Sequence, residues 1–332
     1  MHSTIQAVTA LNYKLCKLYG IQSKKLLLKL LEIKSLKFFT VSNLKANVRP
    51  YIENNEGHLR IIEVPSPRLK NIQNKILSKL KALDLPEYVF SGVKGKSFID
   101  NAKYHSGLNY IFKIDISKFF PSTSRNKVYY FFKNKLNMSP DAAGLLADLT
   151  TVNINYYKNK KNYIDIHNFL TANNITQSSH LMTGAPTSVL LSYLANIDMF
   201  DKIAFLCQSV GARLTVYVDD IVISSKNNIS DAFQKKLCQT IKAYGYNISI
   251  KKLRYYKLNQ RKTITGVIIN EYGTIKTPNA LTFKIHRHIL QYKKKTINEK
   301  NLKSLKGRIV VANMIDGRLT HIRKVLFDET SN

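Results

Sequence analysis

The stretch RLTVYVDDIVISS (Arg213–Ser225) sets two runs of alternating apolar residues against a pair of adjacent aspartates. Leu214, Val216 and Val218 alternate before the pair, and Ile221 and Ile223 after it, which is the period of a half-buried strand. Two such runs in succession predict an antiparallel hairpin with Asp219 and Asp220 in its tight turn. Aspartate is a common turn residue, so turn chemistry alone accounts for the pair about as well as function does.

A second acid changes that balance. Asp115 lies in YIFKIDISKFFPS (Tyr110–Ser122), a separate apolar strand closed by Phe-Phe-Pro. Carboxylates on neighbouring strand tips can hold two divalent cations ~4 Å apart, the arrangement that activates a 3′-hydroxyl and stabilises a leaving pyrophosphate in nucleotidyl transfer. Acids are otherwise scarce here. Of 332 residues, 52 are Lys or Arg and 21 are Asp or Glu, a formal charge of +31. Such an excess repels itself and is most simply balanced by a polyanion, with nucleic acid the first candidate. A lysine-rich genome composition is the bland alternative, and the many Asn, Ile and Lys residues fit it.

The hydrophobic fraction of 44% is enough for an ordinary core. Cys16, Cys207 and Cys238 are scattered without a CxxC spacing, which argues against a disulfide framework or a zinc site and implies a reducing compartment. KKLLLKLLEIKSLKFF (Lys24–Phe39) is too often interrupted by lysine to span a membrane and reads as an amphipathic helix packed on the body, so no membrane partner is expected.

Along the chain, residues 1–44 read as a basic helical segment, followed by a hairpin with an Asn-Asn-Glu-Gly turn and a helix carrying Leu69, Ile72, Ile76, Leu77 and Leu80. Residues from about 123 to 175 read as helix and then a polar Asn- and Tyr-rich stretch. TGAPTSVLLSYLANIDMFDKI (Thr183–Ile203) reads as a Gly-Ala-Pro turn opening one long helix.

IDISKFFPS, TGAPTS and YVDD stand in the order and spacing of the polymerase motifs of reverse transcriptases, which this chain resembles from about Arg60 to Asn270. LRIIEVPSPRLKNIQNKIL (Leu59–Leu77) is similar to the fingers segment of that family. NAKYH (Asn101–His105) and ITG (Ile264–Gly266) resemble the NAxxH and VTG elements of bacterial retron reverse transcriptases. The resemblance implies an α+β right-hand polymerase, with fingers and palm around an antiparallel sheet over 45–272 and a basic helical thumb over 273–332. It also implies an RNA-directed DNA polymerase of the bacterial cytoplasm that needs two Mg²⁺ ions and dNTP substrates. Such an enzyme binds a structured noncoding RNA, joins its DNA product to that RNA, and often serves anti-phage defence beside a toxic effector protein. Two other readings remain open: an abortive-infection-type reverse transcriptase with untemplated synthesis, and an RNA-binding scaffold whose polymerase site has decayed.

Residue by residue, the resemblance implies that Asp115 and Asp219 ligate metal, that Asp220 supports them, and that the Ile116 carbonyl adds a ligand. Phe120 matches the aromatic beneath the incoming sugar, while Arg60 and Lys70 match cations that neutralise the triphosphate. Gly184, Ala185 and Pro186 would allow close backbone approach to template and nucleotide. Asn101, His105, Thr265 and Gly266 are expected at RNA, as are Lys293, Lys294 and Lys295, fanned across a thumb helix.

Thr183 is expected among the nucleotide contacts, but the chain departs from the family there, where the longer Gln is usual, so the contact differs or activity is low. It departs also at Val189, where Pro is usual. A further departure is an insertion within about Asn153 to His180, which reads equally as a contact for RNA or protein and as a surface excursion. GVKGKS (Gly92–Ser97) lacks the first glycine of a P-loop, and His286 and His288 lack metal-ligand partners, so both are set aside.

Overall fold

A computed structural model of the chain describes residues 11–55, 57–107 and 109–322, which leaves Glu56 of the expected turn and the two ends of the expected terminal segments outside the described residues. The helix expected over Lys24–Phe39 is shorter than its apolar pattern suggests. α1 (Lys24–Leu31) stops where Glu32 turns left-handed at φ 56°, and a separate 3-10 turn covers Leu36–Phe39 before α2 (Val41–Ala46).

β1 (Val48–Asn55) and β2 (His58–Pro65) then form the antiparallel hairpin, with Asn55 opposite His58. Asn54 Oδ1 accepts from the Gly57 N–H at 2.9 Å, and Gly57 supplies the positive φ of 83° that the reversal needs. Ser66 caps α3 (Pro67–Leu80), whose Leu69, Ile72, Ile76 and Leu80 are buried as their helical spacing requires.

Next come α4 (Phe98–Tyr104), β3 (Tyr110–Asp115), the single turn α5 (Phe119–Ser122), α6 (Arg125–Tyr130) and α7 (Pro140–Thr150). Buried Leu27 and Leu31 of α1 face α3 and α7, so the amphipathic segment packs on the body as expected. The insertion is a folded piece rather than a loose excursion. β4 (Thr151–Asn153) and β5 (Ser179–Leu181) pair antiparallel at its base, and α8 (Tyr163–Ala172) buries Ile166, Phe169 and Leu170 against the β1–β2 hairpin.

The long helix expected after Pro186 is two helices, α9 (Ser188–Leu194) and α10 (Ile197–Ser209). Asn196 leaves helical geometry between them, and its side-chain oxygen accepts from the buried Tyr246 hydroxyl at 2.8 Å, an interaction a continuous helix would forgo. β6 (Arg213–Tyr217) and β7 (Asp220–Ser225) form the hairpin of the opening stretch. After α11 (Asp231–Ala243), β8 (Arg254–Tyr256) completes a four-stranded antiparallel sheet in the order β6-β7-β3-β8.

Both faces of this sheet are covered. Ile221, Ile223, Phe112 and Ile114 join the main core, while Val222 and Ile111 pack with Ile99 and Ala102 of α4 and with Ile264, Val267 and Ile269. Those last three residues belong to β9 (Lys262–Ile264) and β10 (Val267–Ile269), which β11 (Ile275–Lys276) extends to a three-stranded sheet. The described chain closes with a helical hairpin, α12 (Asn279–Lys293) and α13 (Glu299–Asp316), around Ile285, Leu305, Ile309 and Ala312. No helix among the described residues is long and apolar enough to cross a membrane.

Candidate active site

Register brings the acids together. β3 pairs with β7 so that Asp115, the last residue of β3, lies opposite Asp220, the first residue of β7. Asp220 therefore begins the strand, and Val218 and Asp219 alone make the turn, with Val218 in the left-handed region at φ 58°. A valine in that conformation is strained, and its N–H is held by Ser91 Oγ at 3.0 Å. The Asp219 carbonyl accepts from the Ile116 N–H at 2.9 Å, which locks the two acidic segments to one another.

Like charges in a partly buried site disfavour ionisation. Burial, then Asp115 and Asp220, push the Asp219 carboxyl up to about 6; burial also raises Asp220, against the pull of Lys113. Two lysines offset the cluster: Lys113 Nζ lies 3.1 Å from Asp220 Oδ1, and Lys252 Nζ lies 2.9 Å from Asp115 Oδ2. Burial works against the Lys252 ammonium, yet its bond to Asp115 raises its pKa overall.

Asp115 and Asp219 open onto a groove of about 1270 Å³ whose walls include Arg60, Lys118, Phe120, Thr183 and Lys252. Phe119 is buried against Phe200 and Tyr246, while Phe120 packs on it more openly. Lys118, three residues after Asp115, is left-handed at φ 48°; it donates to the Leu59 carbonyl at 3.1 Å and lies 4.8 Å from the centre of the Phe169 ring. Burial lowers its pKa, as do the nearby cations Arg60 and Lys252. Asp165, Asn168 and Phe169 of α8 line the same groove, so the insertion is one of its walls.

The donor chemistry suits a hard divalent cation, since Asp115 and Asp219 present carboxylate oxygens to one groove. Among the described residues, no three His, Cys, Asp or Glu side chains are disposed to hold an ion by themselves. Mg²⁺ in phosphoryl-transfer sites takes one or two carboxylates and completes its shell with water and substrate phosphates. Two groove-facing acids therefore fit a metal that arrives with a nucleotide, and the Lys252 ammonium at Asp115 stands in for such a cation.

Other expected site residues lie elsewhere. Lys70 is exposed on α3, away from the groove lining, because the helical turn after Ser66 carries it off β2. Gly184 is exposed and lies outside the groove lining, and a Cβ there would fall 2.5 Å from the Glu63 carbonyl, so the close backbone approach it permits is to β2. Ala185 is buried, and Pro186 lies outside the groove lining.

Asn101 and His105 are both fully buried and have no surface to offer RNA. His105 bonds Ser224 Oγ and Thr215 Oγ1, each at 2.7 Å, and burial with the nearby Arg213 lowers its pKa to about 3. Asn101 Nδ2 reaches Thr265 Oγ1 at 3.5 Å, and Thr265 with Gly266 forms the left-handed turn between β9 and β10. NAKYH and ITG thus meet as one brace behind the sheet. Lys293, Lys294 and Lys295 are exposed but do not fan across a helix, because α12 ends at Lys293 and Lys295 is left-handed at φ 55°.

Residues 52–298 match the sequence model of the family "Reverse transcriptase (RNA-dependent DNA polymerase)". The chain is 24% identical to the retron Ec83 reverse transcriptase of Escherichia coli over 77% of its own length and 79% of that protein. It is 28% identical to the retron Se72 reverse transcriptase of Salmonella heidelberg over 56% of its length, spanning only 43% of that relative. Against solved structures it is similar to a foamy viral protease-reverse transcriptase in complex with double-stranded DNA, at a TM-score of 0.47 and 16% identity over 86% of this chain and 39% of the other. With a family match that spans most of its length, the chain belongs to the reverse transcriptase (RNA-dependent DNA polymerase) family and resembles its retron members.

Proposed function

We propose that the chain copies part of a structured noncoding RNA into single-stranded DNA by nucleotidyl transfer in the Asp115–Asp219 groove. The observation that carries this reading is the register of Asp115 against Asp220, which gathers three scarce acids beside a groove walled by Arg60, Lys118 and Lys252. Asp115 and Asp219 would hold two Mg²⁺ ions, with Asp220 and the Ile116 carbonyl in support; when bound, the ions supply charge neutralisation and lower the pKa of the attacking 3′-hydroxyl.

The chain's own groups do the rest. Arg60 and Lys118 neutralise the dNTP triphosphate from the fingers and palm sides, and Phe120 packs under the sugar where a 2′-hydroxyl would stand. Buried Phe119 keeps Phe120 from retreating. The excess of 31 positive charges balances the RNA template and the DNA product.

The similarity to retron reverse transcriptases supports the retron-type reading. A noncoding RNA substrate, a role in anti-phage defence in the bacterial cytoplasm and a toxic effector partner are proposed on the motif resemblance alone. Sequencing the nucleic acid that copurifies with wild type and with Asp219→Asn tests this. DNA joined to one RNA in the wild type and RNA alone in the variant is the expected result; RNA alone in both would overturn the polymerase reading.

A further inference from the structure

Glu63 is fully buried in a chain with few acids to spare, and Ile62 beside it and Thr183 bonded to it line the groove. Every polar group it has is engaged by the segment around Thr183. Glu63 Oε1 takes His180 Nε2 at 2.7 Å, and Oε2 takes the Thr183 N–H at 2.8 Å and the Thr183 hydroxyl at 3.0 Å. The Glu63 N–H donates back to Thr183 Oγ1 at 3.0 Å, and the Glu63 carbonyl accepts from the Gly184 N–H at 3.2 Å. The Thr183 hydroxyl is donor and acceptor at once, a double role open to Ser and Thr and closed to an apolar isostere.

We propose that Glu63, Thr183 and His180 form a clasp that sets the distance between the fingers strand β2 and the palm, and so positions Arg60 over the groove. Arg60 precedes Glu63 by one strand repeat and a half on the same β2, so fixing Glu63 fixes the backbone that carries it. His180 sits in β5, which pairs with β4 and bridges to Ser124, so the clasp is anchored in the palm as well as in the insertion. A buried carboxylate is stable only with its full set of donors, which makes the clasp intolerant of partial loss. It also explains the threonine where related sequences carry glutamine: the position here is spent on the fingers-to-palm bond rather than on the nucleotide. Glu63, Thr183 and His180 are positioning residues in this account, which rests on the polymerase reading above.

Three substitutions at one position test it, read by dNTP KM and kcat in primer extension and by melting temperature. Thr183→Ser keeps the hydroxyl and should keep wild-type values. Thr183→Val removes it at equal size and should raise KM for dNTP roughly 10-fold or more with kcat much less affected, because a displaced Arg60 meets the triphosphate less well in the ground state and the transition state alike. Thr183→Gln should resemble Val. A gain of activity on Thr183→Gln, or unchanged KM for Thr183→Val, would overturn the clasp. If wild type makes no DNA, the polymerase reading falls by itself, and the clasp is then judged by melting alone: Val and Gln lower the midpoint and Ser does not, or the clasp is wrong as well.

Discussion

The four-stranded sheet and the α12–α13 hairpin both carry lysines, and they hold them in opposite ways. In the sheet region Lys113 and Lys252 are each within 3.1 Å of a carboxylate whose place is set by strand register. At the tip of the hairpin Lys293, Lys294 and Lys295 are exposed, on a helix end and a left-handed turn that fix the backbone but not the ammonium groups. Ladder pairing thus gives charge a position, whereas an exposed helix end gives it only a neighbourhood. Loss of a charge should be costly in the first region and nearly additive in the second.

The sharpest way to break this contrast is Asp115→Asn, which keeps size and strand propensity and removes one charge. Synthesis should fall by about 10³-fold or more, as expected for loss of a metal-holding group, while melting and RNA binding stay near wild type. Retained synthesis would mean that the register has gathered the acids to no purpose.

Gly184→Ala comes next. Its Cβ would press on the Glu63 carbonyl, a backbone atom that cannot turn away, so stability should drop by about 1–3 kcal/mol. A neutral result by thermal melting would show that β2 and the Thr183 segment are less closely joined than their hydrogen bonds indicate.

His105 tests the sheet from behind. Its folded pKa of about 3 lies below the unfolded value near 6.5, so the folded state binds fewer protons than the unfolded state between those values. Its contribution is complete above about pH 6.5 and is lost at up to about 1.4 kcal/mol per pH unit as the pH falls toward 3. Denaturant melts at pH 7 and 5.5 should show the slope in wild type and a shallower one in His105→Gln. Equal slopes would place the titration elsewhere.

The smallest effect belongs to the hairpin tip. Reversing Lys293 and Lys294 to Glu should flatten the salt dependence of RNA binding by roughly one unit of slope per lost phosphate contact, leaving extension at saturating template-primer almost unchanged. An unchanged slope would assign these lysines to solvent.

How far the sequence could be read follows the same division. Alternation of period two in Leu214–Ile223 and the apolar run of Tyr110–Asp115 mark the strands that carry the acids, although the sheet is covered on both faces and Val222 and Ile111 are buried as well as Ile221 and Ile223. The pairing of Asp115 with Asp220 and the late arrival of β8 depend on contacts far apart in the chain, which no local period records. Glu63 leaves a signal in the sequence: with Ile61 and Pro65 it falls on the buried phase of β2, where an acid needs partners. The short NAxxH motif points Asn101 and His105 to RNA, yet a polar residue inside an apolar pattern marks a buried hydrogen-bond network just as well. The break at Asn196 and the end of α12 at Lys293 hinge on a tertiary hydrogen bond and a left-handed residue, and the helical spacing continues past both.

The central claim is that the Asp115–Asp219 groove makes DNA on an RNA template. The most direct measurement gives the purified chain an RNA template with an annealed primer, Mg²⁺, and either dNTPs or ribonucleotides, and follows primer length on a sequencing gel. Extension that copies the template with dNTPs, and little or none with ribonucleotides while Phe120 is intact, is the predicted result; a primer left unextended although bound, or lengthened equally by both substrates, would contradict it.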